Sequence, residues 1–214
     1  MDYGKSFTYI FEDENWLTKF LIGIVVGLIP IVQFATYGYV LEVVKNVRDG
    51  RDQPLPEWDD FGGLFMNGLK YSLGVLVYAL PAIFVSFFTI PFAIIGDEVP
   101  GAIFGLGITA VSCLVIFLSI LPVALMPVLM VQYAKEDQIS DMFKFSEMWD
   151  MIQADYATYL ILLLMLFVVL AIIGSVGLIA CFIGVIFTAW YAYLVAGHIT
   201  GQFAAQQPGA EKLA

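Results

Sequence analysis

Apolar residues in this chain arrive in long unbroken runs, not at the spacing of a helix that keeps one face in water. Four runs carry no Asp, Glu, Lys or Arg: Phe20 to Leu41, Tyr71 to Gly96, Val99 to Ala134 and Tyr156 to Ala210. Each exceeds the ~20 residues that carry a helix across a ~30 Å hydrocarbon core. Lipid offers the backbone no hydrogen-bond partners, so a spanning segment is a helix or part of a closed barrel. Barrel strands alternate polar and apolar residues over ~10 positions, and YLILLLMLFVVLAII does not alternate. The pattern predicts an all-α integral membrane protein.

Breaks inside the runs set the number of crossings. The first run contains Gly27 and Pro30; proline removes a helix donor and clashes with the carbonyl four residues back. A break there leaves pieces from Trp16 to about Ile29 and from Ile31 to about Val47, the first too short to span comfortably. The last run would be ~80 Å long as one helix, so it folds back, with Gly174-Ser175-Val176-Gly177 as the natural turn. Full spans are thus expected at 71–95, 102–131, 156–173 and 178–199, loosened by Pro81, Pro91, Pro122 and Pro127. Residues 17–47 form a broken or re-entrant pair, the alternative being a kinked single helix and five spans in all.

The polar stretches carry amphipathic patterns. Tyr3, Phe7, Ile10 and Phe11 share one helical face, predicting an interfacial helix over 1–16, with Asn15 as N-cap of the next helix. Residues 48–70 read as a cytoplasmic loop with an interfacial helix through Trp58, Phe61, Phe65 and Leu69. Residues 132–155 form a second amphipathic loop, with Ile139, Met142, Phe143, Trp149 and Ile152 on one face and Ser140 as its cap. A polar tail closes 200–214. Trp16, Trp58 and Trp149 are the expected interfacial anchors. Trp58-Asp59 and Trp149-Asp150 echo one another, as do residues 29–41 and 183–195, which fits either a parallel duplication or chance similarity between apolar helices.

Composition sharpens this reading. The chain is 61% hydrophobic and 13% charged, against about a quarter charged in ordinary soluble domains. A net charge of -10 argues against nucleic acid as a partner and against a polybasic lipid-binding patch. The opening MDYGKSFTYIFEDENW has acidic residues where a signal peptide has basic ones, predicting that the first residues are retained. Cys113 and Cys181 lie in apolar runs and read as buried small hydrophobes. All nine Lys and Arg residues fall on one side if the first run re-enters. The excess of such residues on the cytoplasmic side then places the protein in the cell membrane with both termini cytoplasmic.

Candidate chemistry is sparse. Gly105-Leu-Gly107-Ile-Thr-Ala110 matches a dinucleotide pattern but follows no strand, the context that motif requires. Glu57, Asp59 and Asp60 could hold a cation, although a solvated acidic loop accounts for them. His198 is the single histidine and reads as a marker of the water interface or a bond to a neighbouring helix. Ionisable side chains within spans usually mark ion paths or catalysis, and the span interiors contain none. The sequence therefore predicts no catalytic, metal or cofactor-binding residue. What remains is the small-xxx-small spacing of Gly23 and Gly27, Gly101 and Gly105, and Gly197 and Gly201, which lets membrane helices approach closely. Gln33 stands as the polar side chain deep in a run.

FEDENWLTKFLIG, LIPIVQF, the Gly38-Tyr39 pair and above all PLPEWDDFGGLFMNGLK resemble a family of bacterial and archaeal polytopic membrane proteins. It is catalogued as domain of unknown function number four thousand and thirteen. The resemblance runs over nearly the whole chain and implies fold and membrane location but no activity. The functional expectation is a non-enzymatic component that contacts lipid and assembles with itself or with another membrane protein. The alternatives are a channel or transporter for a small uncharged or lipid-like solute and, less favoured, an interfacial lipid enzyme using Glu57, Asp59, Asp60 or His198.

Overall fold

The computed structural model describes residues 1–88, 90, 101–177 and 183–207, and every regular element among them is helical. Among the described residues, three helices are long and apolar enough to cross a membrane: Phe61–Ser86, Phe104–Glu136 and Tyr156–Ile173. The turn expected after Gly96, Pro91, Cys181, the start of the 178–199 span and Lys212 lie outside the described residues.

The chain opens with α1 (Tyr3–Thr8), capped by the Asp2 carboxylate and continued by a 3-10 turn at Tyr9–Glu12. The buried side of this segment carries Ser6, Tyr9 and Ile10, while Phe11 is exposed. The face expected from Tyr3, Phe7, Ile10 and Phe11 is thus rotated, because the helix packs on the C-terminal helix through its polar residues. Next comes α2 (Trp16–Leu28). Asn15 occupies its N-cap position without a side-chain bond; instead its N–H donates to Asp13 Oδ1 at 2.8 Å.

After α2 the helix stops. Ile31 adopts φ 72°, a left-handed conformation that β-branched residues avoid, and α3 begins at Phe34 and runs to Arg48. The break therefore covers five residues between two separate helices, and the chain reverses across it. A straight helix from Trp16 to Arg48 would hold its ends roughly 50 Å apart. Instead, Lys19 at the start of α2 lies 2.6 Å from Glu57, beyond the end of α3. Gly50, at φ 73°, ends α3 in the left-handed geometry that glycine tolerates.

Extended residues 54–57 lead into α4 (Phe61–Ser86), one continuous helix that runs through Pro81. Of the helix expected through Trp58, Phe61, Phe65 and Leu69, the part from Phe61 onward forms its first turns, and Trp58 lies before it. Then α5 runs from Gly101 to Glu136, ending at Asp137 with φ 56°. A 3-10 turn (Ile139–Phe143) leads to α6 (Phe145–Ala154). Neither is side-chain capped: Gln138, not Ser140, occupies the N-cap position of the turn. On this segment Met142, Met148, Met151 and Ile152 are buried, whereas Trp149 is 58% exposed. Trp149 thus does not share the face of Met142 and Ile152, on which the spacing had placed it. Lys135 and then Gln132 bond the exposed Glu147 carboxylate and hold it below the usual carboxyl range.

Asp155 caps α7 (Tyr156–Val168), accepting from the Thr158 N–H at 2.9 Å. A π-helical turn at Val169–Ile173 and a further turn at Gly174–Val176 follow. Gly174–Val176 is helical where a turn had been expected; a methyl on Gly177 would strike the backbone of Gly184, so the chain does fold back between these two glycines. The last helix, α8 (Ile183–Ala205), continues through Thr200 to Ala205, where a polar tail had been expected.

Two compact units divide the described chain, residues 1–72 with 127–214 and residues 73–126. In the first, α8 packs most extensively on α3. Gly197 lies against Val40, and Gly201 against Val44 and Val47. On α3's contact with α4, a methyl at Gly38 would fall on the Leu64 carbonyl, and one at Gly68 on the Phe34 carbonyl. Backbone cannot rotate aside as a side chain can. Gly38→Ala and Gly68→Ala should therefore each destabilise the fold by at least the ~1–3 kcal/mol of an overpacked core, measured as denaturant unfolding in detergent. Unfolding midpoints equal to the parent's would show that α3 and α4 do not meet through these glycines.

Candidate functional site

Two features of the first unit arise where the N-terminal hairpin meets the rest: a polar strap at its open end and a cavity at its break. The strap is centred on Lys19, whose side chain is 6% exposed. Its ammonium donates to Asp13 Oδ2 at 2.7 Å and to the Leu55 carbonyl at 3.3 Å, and it pairs with Glu57. The Trp58 indole N–H donates to the Lys19 carbonyl at 3.0 Å, and its ring stacks on Tyr39 at 4.4 Å. Asn46 of α3 donates to the Pro54 carbonyl at 2.9 Å. The Pro-Leu-Pro-x-Trp-Asp string thus ties the start of α2 to α3, and Trp58 serves as a staple. Glu57 is taken by Lys19, and Asp60 accepts from the Gly63 N–H at 3.0 Å. Among the described residues, no group of three or more His, Cys, Asp or Glu side chains is placed to hold a metal.

His198 lies in a second polar cluster. Ser6 Oγ stands 2.9 Å from its Nδ1, and Gln202 Nε2 stands 3.1 Å from the same atom. Tyr9 packs on the imidazole at 4.3 Å and donates to the Leu194 carbonyl. Ser6 is fully buried and His198 is 3% exposed. The pair latches α1 onto α8.

The cavity lies among α2, the break, α3 and α8, with a volume of about 320 Å³. Its wall includes Gly23, Gly27, Gln33, Thr36, Tyr37, Ala189, Trp190 and Tyr193, without a charged side chain. The Trp190 ring occupies the space a methyl on Gly23 would need, which explains why glycine stands there. Trp190 is 6% exposed, and its N–H has no hydrogen-bond partner among the described residues. Thr36 donates to the Gln33 carbonyl at 2.7 Å, holding the first turn of α3 at the cavity edge.

The six glycines singled out by spacing thus divide. Gly23, Gly197 and Gly201 are in tight contact within the chain, and a methyl on Gly27 would lie 3.6 Å from Thr36. Gly101 and Gly105 have open space. Lys19, Trp190 and the Gly38 and Gly68 contacts escaped the sequence reading, although a single lysine between an acidic string and an apolar run was a visible signal for the strap.

The described chain is therefore of an all-helical class, with membrane-length helices and an N-terminal helical hairpin closed by a buried ion pair. Residues 21–183 match the family described as "Protein of unknown function (DUF4013)", and the chain belongs to that family. It is 26% identical over 142 residues to "Uncharacterized protein MJ1189" of Methanocaldococcus jannaschii, an alignment covering 66% of this chain. The chain spans about half of that curated relative's length, 47%. No solved structure matches.

Lys19→Met leaves the Asp13 carboxylate, 5% exposed, without its cation. Stability should fall by roughly 3 kcal/mol, at the low end for breaking a buried pair because Glu57 reaches solvent. Thermal unfolding in detergent checks this, and an unchanged midpoint would show that the strap does not hold the hairpin.

Proposed function

We propose that this chain is a multi-pass protein of the cell membrane with four full spans behind a re-entrant N-terminal hairpin. It works by assembling with itself or with another membrane protein, not by catalysis. The observation that carries the topology is the bridge from Lys19 to Glu57. A single crossing by residues 16–48 would put these two groups on opposite sides of a bilayer. Further ties support the same sidedness: Lys45 donates to Asp137 at 2.7 Å, and Arg48 to the Ala134 carbonyl at 2.7 Å. The loops after α3 and α5 then share one face with α1 and the end of α8. Basic residues collect on that face, which makes it cytoplasmic by the positive-inside tendency. Phe145 and Trp149 are exposed on α6, as suits a helix lying at the interface with lipid.

Single cysteines at Thr8 and Gln206, in a chain lacking Cys113 and Cys181, test the topology. An impermeant thiol reagent outside intact cells should label neither until the membrane is opened. Labelling at position 8 alone would establish five spans and sink the re-entrant arrangement.

Assembly is supported by Gly101 and Gly105, whose faces are open and whose spacing suits a close helix pair in lipid. Replacing both with leucine should shift the protein in lipid nanodiscs from oligomer to monomer, read by light scattering. A parent that is monomeric at every concentration and co-purifies with no other membrane protein would remove the assembly reading. A second reading, transport of a small uncharged solute, draws on the cavity beside Gln33.

A further inference from the structure

Three polar side chains line the cavity and spend no hydrogen bond on the protein. Among the described residues the Gln33 amide and the Tyr37 and Tyr193 hydroxyls have no partner. They are not packed away: Gln33 is exposed, Tyr37 half-buried and Tyr193 38% exposed. Gln33 precedes α3, and a spacing of four puts it one turn from Tyr37 on the same face. Gly197 of α8 meets Val40 and Gly201 meets Val44, so α8 runs parallel to α3. One turn back along that seam Tyr193 comes level with Tyr37, and a further turn back Ala189 comes level with Gln33. The polar groups thus form one layer of the wall, with the small alanine leaving space opposite the amide. Towards the start of α8, Val185 and Ile186 continue the wall as hydrocarbon, as Leu28 does from the end of α2.

The re-entrant topology puts the hairpin break inside the bilayer, where the surroundings supply no hydrogen-bond partner to these groups. A bound molecule supplies it, and the wall selects that molecule. No lining side chain carries a charge, so an anionic or cationic head would be stripped of water without a counter-ion. An amide and a phenolic hydroxyl each donate and accept. A carbonyl or ether oxygen answers only the donors, whereas a hydroxyl answers both. The volume, about 320 Å³, sits at the small end of ligand pockets. At the ~30 Å³ share of one water in the liquid it holds on the order of ten heavy atoms, enough for a head and a short length of chain.

We infer that the cavity between the hairpin break and α8 binds a neutral amphiphile by its hydroxyl group, which exchanges hydrogen bonds with Gln33, Tyr37 and Tyr193 while its alkyl chain lies along Val185 and Ile186. A long-chain alcohol and the glycerol end of a monoacyl lipid both carry that group. The inference rests on the re-entrant topology for the need of a bound partner, and the two fail separately: the thiol reagent reads the route of the chain, and binding reads the site. It names a solute class for the transport reading, yet a molecule bound and not carried across vesicles leaves it intact.

Calorimetric titration of the full chain in detergent tests it, with micelles alone as the blank. The probes are 1-decanol, glycerol monodecanoate, decyl methyl ether, undecane and decanoate anion. Saturable one-to-one binding is expected for the alcohol, the glyceride or both, and whichever binds identifies the source of the hydroxyl. The combined variant Gln33→Leu, Tyr37→Phe and Tyr193→Phe removes the polar layer without breaking a bond of the fold, and it should weaken that binding at least tenfold. Ala189→Phe, which fills the cavity, should abolish it; if that variant does not fold, the combined variant decides. Binding that is equal for the ether or undecane, tighter for decanoate, unchanged in the combined variant or in a folded Ala189→Phe, or not saturable for either hydroxyl probe overturns the inference.

Discussion

An ammonium taken out of water has to be surrounded by acceptors, because the effective cost of stripping an ion of its solvation is several kcal/mol. Lys19 meets this condition in one way: Asp13 from the turn before α2, Glu57 and the Leu55 carbonyl from the strap after α3. Chain segments 36 residues apart are thereby fixed side by side, and the helices between them have to form a hairpin. The strap then places Trp58 over Tyr39 and Asn46 against Pro54. One charge so determines the register of α2 against α3 and the path into α4.

With that register set, α3 becomes the helix on which the first unit is built. Its two contact seams differ chemically. Towards α4 the close approach is backbone on backbone at Gly38 and Gly68. Towards α8 it is glycine on valine, Gly197 and Gly201 lying against the Val40 to Val47 side. β-Branched side chains lose little freedom when packed in a helix, since χ1 is already restricted, and they offer a stiff surface for a glycine groove. The α8 end of this seam also carries His198, whose bonds to Ser6 and Gln202 bring α1 into the same packed end.

Legibility in the sequence followed the range of the interaction. Helix content, the charge-free runs and the Pro30 break are local properties, readable from residues a few positions apart, and all appear among the described residues. The glycine contacts are not local. A spacing of four places two glycines on one helix face but carries no information about what faces them, which is why Gly23, Gly197 and Gly201 pack within the chain while Gly101 and Gly105 do not. Gly38 and Gly68 belong to no such motif, because each meets a carbonyl of the other helix. Trp149 shows a different failure. At ~100° per residue it lies about a quarter turn from Met148, and Met148 with Met151 and Ile152 defines the buried arc. Grouping Trp149 with Met142 and Ile152 on one face ran across the break between the 3-10 turn and α6, where helical spacing does not carry over.

The two ends of the hairpin are unequal. At the open end the polar groups of Lys19, Trp58 and Asn46 have named partners, and the aromatic rings are stacked. Changing the arrangement there would break several bonds at once. At the apex the helix is interrupted and one residue, Ile31, is strained. Conformational adjustment and ligand contacts are cheapest where the protein's own bonding is incomplete, because little has to be broken first. Gly23 takes part in this asymmetry. By admitting the Trp190 ring it lets α8 lie close to α2 while the cavity stays open towards Gln33. A larger residue there would push Trp190 aside and remove the apolar wall. The glycine therefore acts as a spacer between helices and also sets the shape of the cavity, a role that counting small residues at intervals of four does not describe.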